Sequence, residues 1–75
     1  MVTLFPVQSS MLAAVGYHPQ SGTLVVLFNS GRAYEYYGVP IEDYEGLMRA
    51  ESKGRFMHRN ILGFYEWARF HGWRR

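Results

Sequence analysis

The sequence contains no cysteine, which excludes a disulfide scaffold, thiolate zinc sites, iron–sulfur clusters and thiol catalysis. It has no long apolar run. The longest near the start, residues 11–16, falls far short of the roughly 20 residues that span a bilayer. No basic residue precedes Arg32, so the positive region that opens a secretory signal is missing, and a soluble, cytoplasmic protein without membrane contact is expected. The charged fraction is only 19% against 48% hydrophobic residues, which excludes a disordered acidic or basic tail. His18, His58 and His71 share no metal-ligand spacing with one another or with the acids, so no metal and no cofactor are implied.

What the 75 residues do have is rings and a lopsided charge. Aromatics make up 17%, a heavy load for one small domain whose length limits the surface it can bury. The net charge of +2 is unevenly placed. Residues 1–48 carry one base, Arg32, against Glu35, Glu42, Asp43 and Glu45. Residues 49–75 carry Arg49, Lys53, Arg55, Arg59, Arg69, Arg74 and Arg75 against Glu51 and Glu66. A −3 first part is thus joined to a +5 second part. Such an asymmetry points to nucleic acid or an acidic surface, and a solvated helix face with a basic tail accounts for it equally well.

The first half reads as β-structure. Residues 11–17 form a strand, His18-Pro19-Gln20-Ser21-Gly22 a turn, and residues 23–29 a strand rich in β-branched and aromatic side chains. Asn29-Ser30-Gly31 connects it to a third strand over residues 32–37, with Gly31 left-handed. A three-residue loop pairs Phe28 with Arg32, Val26 with Tyr34 and Leu24 with Tyr36. A two-residue loop would pair Leu27 with Tyr34 instead. The first register gathers the aliphatic face and both tyrosines, and is preferred.

Helices follow. Pro40 suits a first helical position, Glu42, Asp43 and Glu45 complement the helix dipole, and Ile41, Tyr44, Leu47 and Met48 form the inward stripe. From Arg55, a second stripe of Met57, Ile61, Phe64 and Ala68 predicts further helix, bent at Gly63, with a last helix over residues 64–71 capped by Gly72. The expected fold is α+β: a three-stranded antiparallel meander followed by two or three helices packed on one face, in one domain over residues 1–75.

The ordered set Ser9-Ser10, Gly16-Tyr17, Leu24 to Phe28, Gly31, Tyr34-Glu35-Tyr36, Val39-Pro40, Tyr44, Ala50, Ser52-x-Gly54, Phe56 and Ile61 resembles the KTSC domain. That short module is named for its place at the C-terminus of some lysyl-tRNA synthetases, and it also stands alone in small bacterial or phage proteins. The resemblance covers residues 7–61 and leaves residues 62–75 as an aromatic and basic extension. It implies RNA binding by association with the synthetase, and no chemistry.

Candidate site residues fall into three groups. Tyr34 and Tyr36 share a sheet face and are either a stacking platform for bases or ordinary packing residues. Arg49, Lys53, Arg55 and Arg59 are either phosphate contacts near the Ser52-x-Gly54 turn or a solvated rim around Phe56. In the extension, Tyr65, Trp67, Arg69, Phe70 and Trp73 are the residue types of interaction hot spots. They either dock a partner chain or a second copy, or close the domain's own core. Ser9 and Ser10 lack a base and an orienting acid and read as turn residues. With no activated nucleophile, no metal set and no phosphate-cradling glycine motif, the chain reads as a non-enzyme. The expectation is a nucleic-acid-binding module, RNA before other nucleic acids, with a protein-interaction or assembly subunit as the alternative.

Overall fold

The computed structural model describes residues 3–71. Its centre is one antiparallel meander of five strands in chain order: β1 (Phe5–Pro6), β2 (Leu12–His18), β3 (Thr23–Phe28), β4 (Ala33–Tyr36) and β5 (Trp67–Arg69). The helices lie in the connection from β4 to β5. They are α1 (Ile41–Arg49) and α2 (Lys53–Phe56), the latter running on into a π-helical turn over Met57–Ile61. The α+β class is as expected, but the sheet gains a strand at each edge.

The central hairpin takes the three-residue loop. Val26 is opposite Tyr34 and Leu24 opposite Tyr36, the Phe28 N–H donates to the Arg32 carbonyl at 2.9 Å, and Gly31 sits at φ 94°. Because paired residues share a face, Val15, Leu24, Val26 and Tyr36 point together toward the helices. There they join Leu12, Val39, Leu47, Met57 and Ile61 in a closed core.

Helix α1 starts one residue later than expected, with Pro40 as its N-cap and Glu42 and Asp43 in the first turn. Leu47 is fully buried, Tyr44 and Met48 pack partly on the core, and Ile41 stays exposed. The C-terminal end is closed from the next helix. The Lys53 ammonium donates to the Met48 carbonyl at 3.1 Å and to the Ala50 carbonyl at 3.0 Å, two of the acceptors a helix end leaves unpaired.

The helix expected over residues 64–71 is absent. Met57 and Ile61 fill the core as their spacing predicts, but the stripe stops there, and Phe64 is 65% exposed. Leu62 leaves the helical region (ψ 125°), its N–H donating to the Met57 carbonyl at 2.8 Å. Gly63 follows at φ 84°, the left-handed conformation that stops a helix and suits glycine. The chain then turns back along the free edge of β4. Tyr37 N–H donates to the Glu66 carbonyl and Phe70 N–H to the Ala33 carbonyl, each at 2.9 Å. Aromatic side chains favour strands, and pairing with β4 outweighs an isolated helical turn or two. Gly72, expected to cap that helix, lies outside the described residues.

Candidate functional site

The end of the sheet that the helices leave uncovered forms a groove of about 620 Å³. Its walls are Met11, Phe28, Tyr34, Tyr36, Leu62, Gly63 and Trp67, with Ser10, Asn29, Ser30 and Arg32 at one end. The pairing register explains why these side chains meet. Phe28, Tyr34 and Arg32 share the helix-facing side of the sheet through the hairpin, and β5 adds Trp67 opposite Tyr36 and Arg69 opposite Tyr34.

The rings are arranged edge to face. Tyr34 lies 5.8 Å from Phe28 at 69° and 5.4 Å from Trp67 at 77°, geometry that aromatic quadrupoles favour. The Arg69 guanidinium stands 5.8 Å from the Tyr34 ring centre. Trp67 is 59% exposed although its neighbours pack against it, so apolar ring surface remains uncovered. Tyr36 at the floor is 4% exposed, and burial pushes its phenol up to about 12, so it stays neutral. Among the described residues no acidic side chain lines the groove.

The sequence-derived candidates separate on this surface. Tyr34 and Tyr36 are in the groove, and Trp67, assigned from sequence to a different function, joins them there. Arg49, Lys53, Arg55 and Arg59 do not line it. Arg49 is exposed at the end of α1, and Lys53 is engaged on the α1 carbonyls. Arg55 and Arg59 border a separate depression of about 240 Å³ with Ser52, Phe56 and Asn60. There the Ser52 hydroxyl already accepts the Arg55 N–H at 3.3 Å.

Tyr65 is a fold residue in its contacts. Its hydroxyl donates to the Asp43 carboxylate at 2.6 Å, tying the segment after Gly63 to α1. That hydrogen bond, with burial second, pushes the phenol up to about 12. Phe70 is half-buried beyond β5, and Trp73 lies outside the described residues. Ser9 is a turn residue, its hydroxyl accepting the Met11 and Leu12 N–H groups at 3.1 Å each. Among the described residues, no three His, Asp or Glu side chains cluster to hold a metal ion, and no helix is long and apolar enough to cross a membrane.

Phe28, Asn29, Ser30 and Arg32 were missed as site residues. The signal was present, because the three-residue loop that sets Phe28 against Arg32 also puts both beside Tyr34.

Fold and groove together define a small α+β module with an open aromatic cleft. The sequence model of the KTSC domain matches residues 8–65, and the chain belongs to that family. The crystal structure of a KTSC domain protein from Yersinia pestis superimposes with a TM-score of 0.90 at 32% identity, covering 95% of this chain and 100% of that one. A protein from Tsukamurella paurometabola is 45% identical over 53 residues, 71% of this chain and 79% of its own. The lysine–tRNA ligase of a Nostoc species is 38% identical over 69 residues, 88% of this chain but only 12% of the ligase.

Proposed function

We propose that this chain is a non-catalytic module that binds single-stranded RNA, with an unpaired base seated in the aromatic groove. The observation that carries the reading is the groove's composition. Exposed Trp67 and the edge-to-face set Phe28 and Tyr34 offer ring surface for stacking, Arg32 stands at one end, and no acid lines the groove among the described residues. Base stacking on such rings contributes about 1–3 kcal/mol per base.

The same rings could be read as a cage for a quaternary ammonium group, which favours aromatic walls. Two cations argue against it. Arg69 already stands beside the Tyr34 ring and Arg32 is at the groove end, so a cationic guest meets repulsion with no acid to offset it. A base carrying a phosphate meets the opposite.

RNA is chosen over other single strands because a similar segment belongs to a lysine–tRNA ligase, a protein named for acting on a tRNA. Arg55 and Arg59 on the helix face are secondary, able to follow the phosphate chain beyond the groove.

The test is titration of the full chain with short single-stranded RNA, followed by tryptophan fluorescence and repeated across a salt series. Binding that weakens steeply with salt and quenches tryptophan emission supports the reading. Absence of binding at low salt overturns it. In that case the exposed pair Phe64 and Trp67, beside the outer edge of β5, favours a protein-docking surface. A partner chain or a second copy is then the occupant to seek.

A further inference from the structure

The groove is polarised. Rings line the groove from Trp67 and Tyr34 to Phe28, and beyond Phe28 one end is formed by the β3–β4 turn and the turn before β2, presenting Ser10, Asn29, Ser30 and Arg32. Asn29 is held firmly there. Its backbone N–H donates to the Met11 carbonyl at 2.9 Å, and its side-chain Nδ2 donates to the Ser9 carbonyl at 3.1 Å.

That side-chain bond fixes the amide's orientation. A carbonyl can only accept, so the nitrogen of Asn29 must face Ser9 and the Oδ1 must face away. Among the described residues Oδ1 has no hydrogen-bond partner. Asn29, which lines the groove, therefore carries an oriented and unengaged acceptor, and Ser10, Ser30 and Arg32 line the same end.

For a base stacked on the Trp67 and Tyr34 rings, this polar end is where its sugar and phosphate would lie, with Arg32 as the cation for the phosphate. The group that an oriented amide oxygen selects on a sugar is a hydroxyl donor, and the 2′-hydroxyl is the donor that RNA has and DNA lacks. We infer that Asn29 Oδ1, flanked by Ser10 and Ser30, accepts from the ribose 2′-hydroxyl of the stacked nucleotide and makes the groove selective for RNA over DNA. This rests on the stacking reading above. It adds the chemical class of the sugar and the residue that reads it.

The experiment compares short probes of one base sequence, fluorescently labelled, with ribose, 2′-deoxyribose or 2′-fluoro sugars, binding to the full chain. The 2′-fluoro sugar keeps the RNA-like pucker but cannot donate. The ribose probe should bind about 3- to 10-fold more tightly than either of the others, the span expected of one net hydrogen bond. Asn29→Ala should remove that preference by weakening ribose binding alone. Because Asn29→Ala also loses the bond to Ser9, Ser30→Ala is measured beside it and should reduce the preference in part.

Equal binding of all three probes overturns the sugar-reading inference and leaves base stacking standing. A 2′-fluoro probe that binds as well as ribose overturns it too, since pucker would then be what is read. No binding of any probe overturns both.

Discussion

Tyr34 and Trp67, separated by the whole helical excursion, meet edge to face with ring centres 5.4 Å apart. Each was expected to serve a different function, one as a base platform and the other as a docking residue. The contact makes them one surface and joins the aromatic motif of β4 to the aromatic extension.

Trp67→Ala is expected to remove most RNA affinity, roughly 5- to 150-fold for one lost stacking partner. Because Trp67 is 59% exposed, the fold should survive. Circular dichroism and the unfolding midpoint check that, and anisotropy of a labelled RNA checks the loss.

Arg32→Ala is expected to lower the slope of log affinity against log salt by about 1, as one phosphate contact requires. The double variant Arg55→Ala, Arg59→Ala removes charges that do not line the groove. It should leave binding of a probe short enough to fill only the groove unchanged. A slope that falls with the helix pair and not with Arg32 would move the site onto α2 and the π-helical turn that follows it.

Tyr65→Phe removes the 2.6 Å bond to Asp43 and should cost about 1–2 kcal/mol in urea unfolding. The pH dependence has a definite sign. The folded phenol is raised from 10.0 to about 12, so its contribution is whole below pH 10 and disappears as the pH climbs through the folded value. Wild type should lose stability relative to Tyr65→Phe across that window.

Gly63→Ala isolates backbone conformation, since an added Cβ meets nothing within 4 Å at φ 84°. The strain of a left-handed alanine is about 1–2 kcal/mol. It falls at the joint that releases β5 from the helix, so hydrogen exchange should rise at Phe70 and Tyr37 before it rises in β2 and β3.

The central hairpin was legible because β3 is a six-residue run of β-branched, aliphatic and aromatic side chains and the loop carries its own glycine. Leu47, Met57 and Ile61 were legible from helical spacing. The edge strands were not, because two residues at Phe5–Pro6 and three at Trp67–Arg69 are too short to show a period. The misreading of residues 64–71 has one source. Phe64 and Ala68 continue the spacing of Met57 and Ile61, and only Gly63 between them marks the change. The groove followed the same limit: Tyr34 and Tyr36 stood out as a pair, whereas Trp67 could be placed beside them only once β5 was known.

The strand that completes the groove is also the last one made. β2, β3 and β4 pair with sequence neighbours, but β5 must wait for thirty residues of helix and turn to be synthesised and packed. Long-range pairings of this kind form late. A chain cut short after Ile61 retains every fully buried side chain of the core yet lacks Trp67, the exposed wall of the cleft. A chain ending there is expected to keep its core and to lose the ring surface that the proposed binding needs.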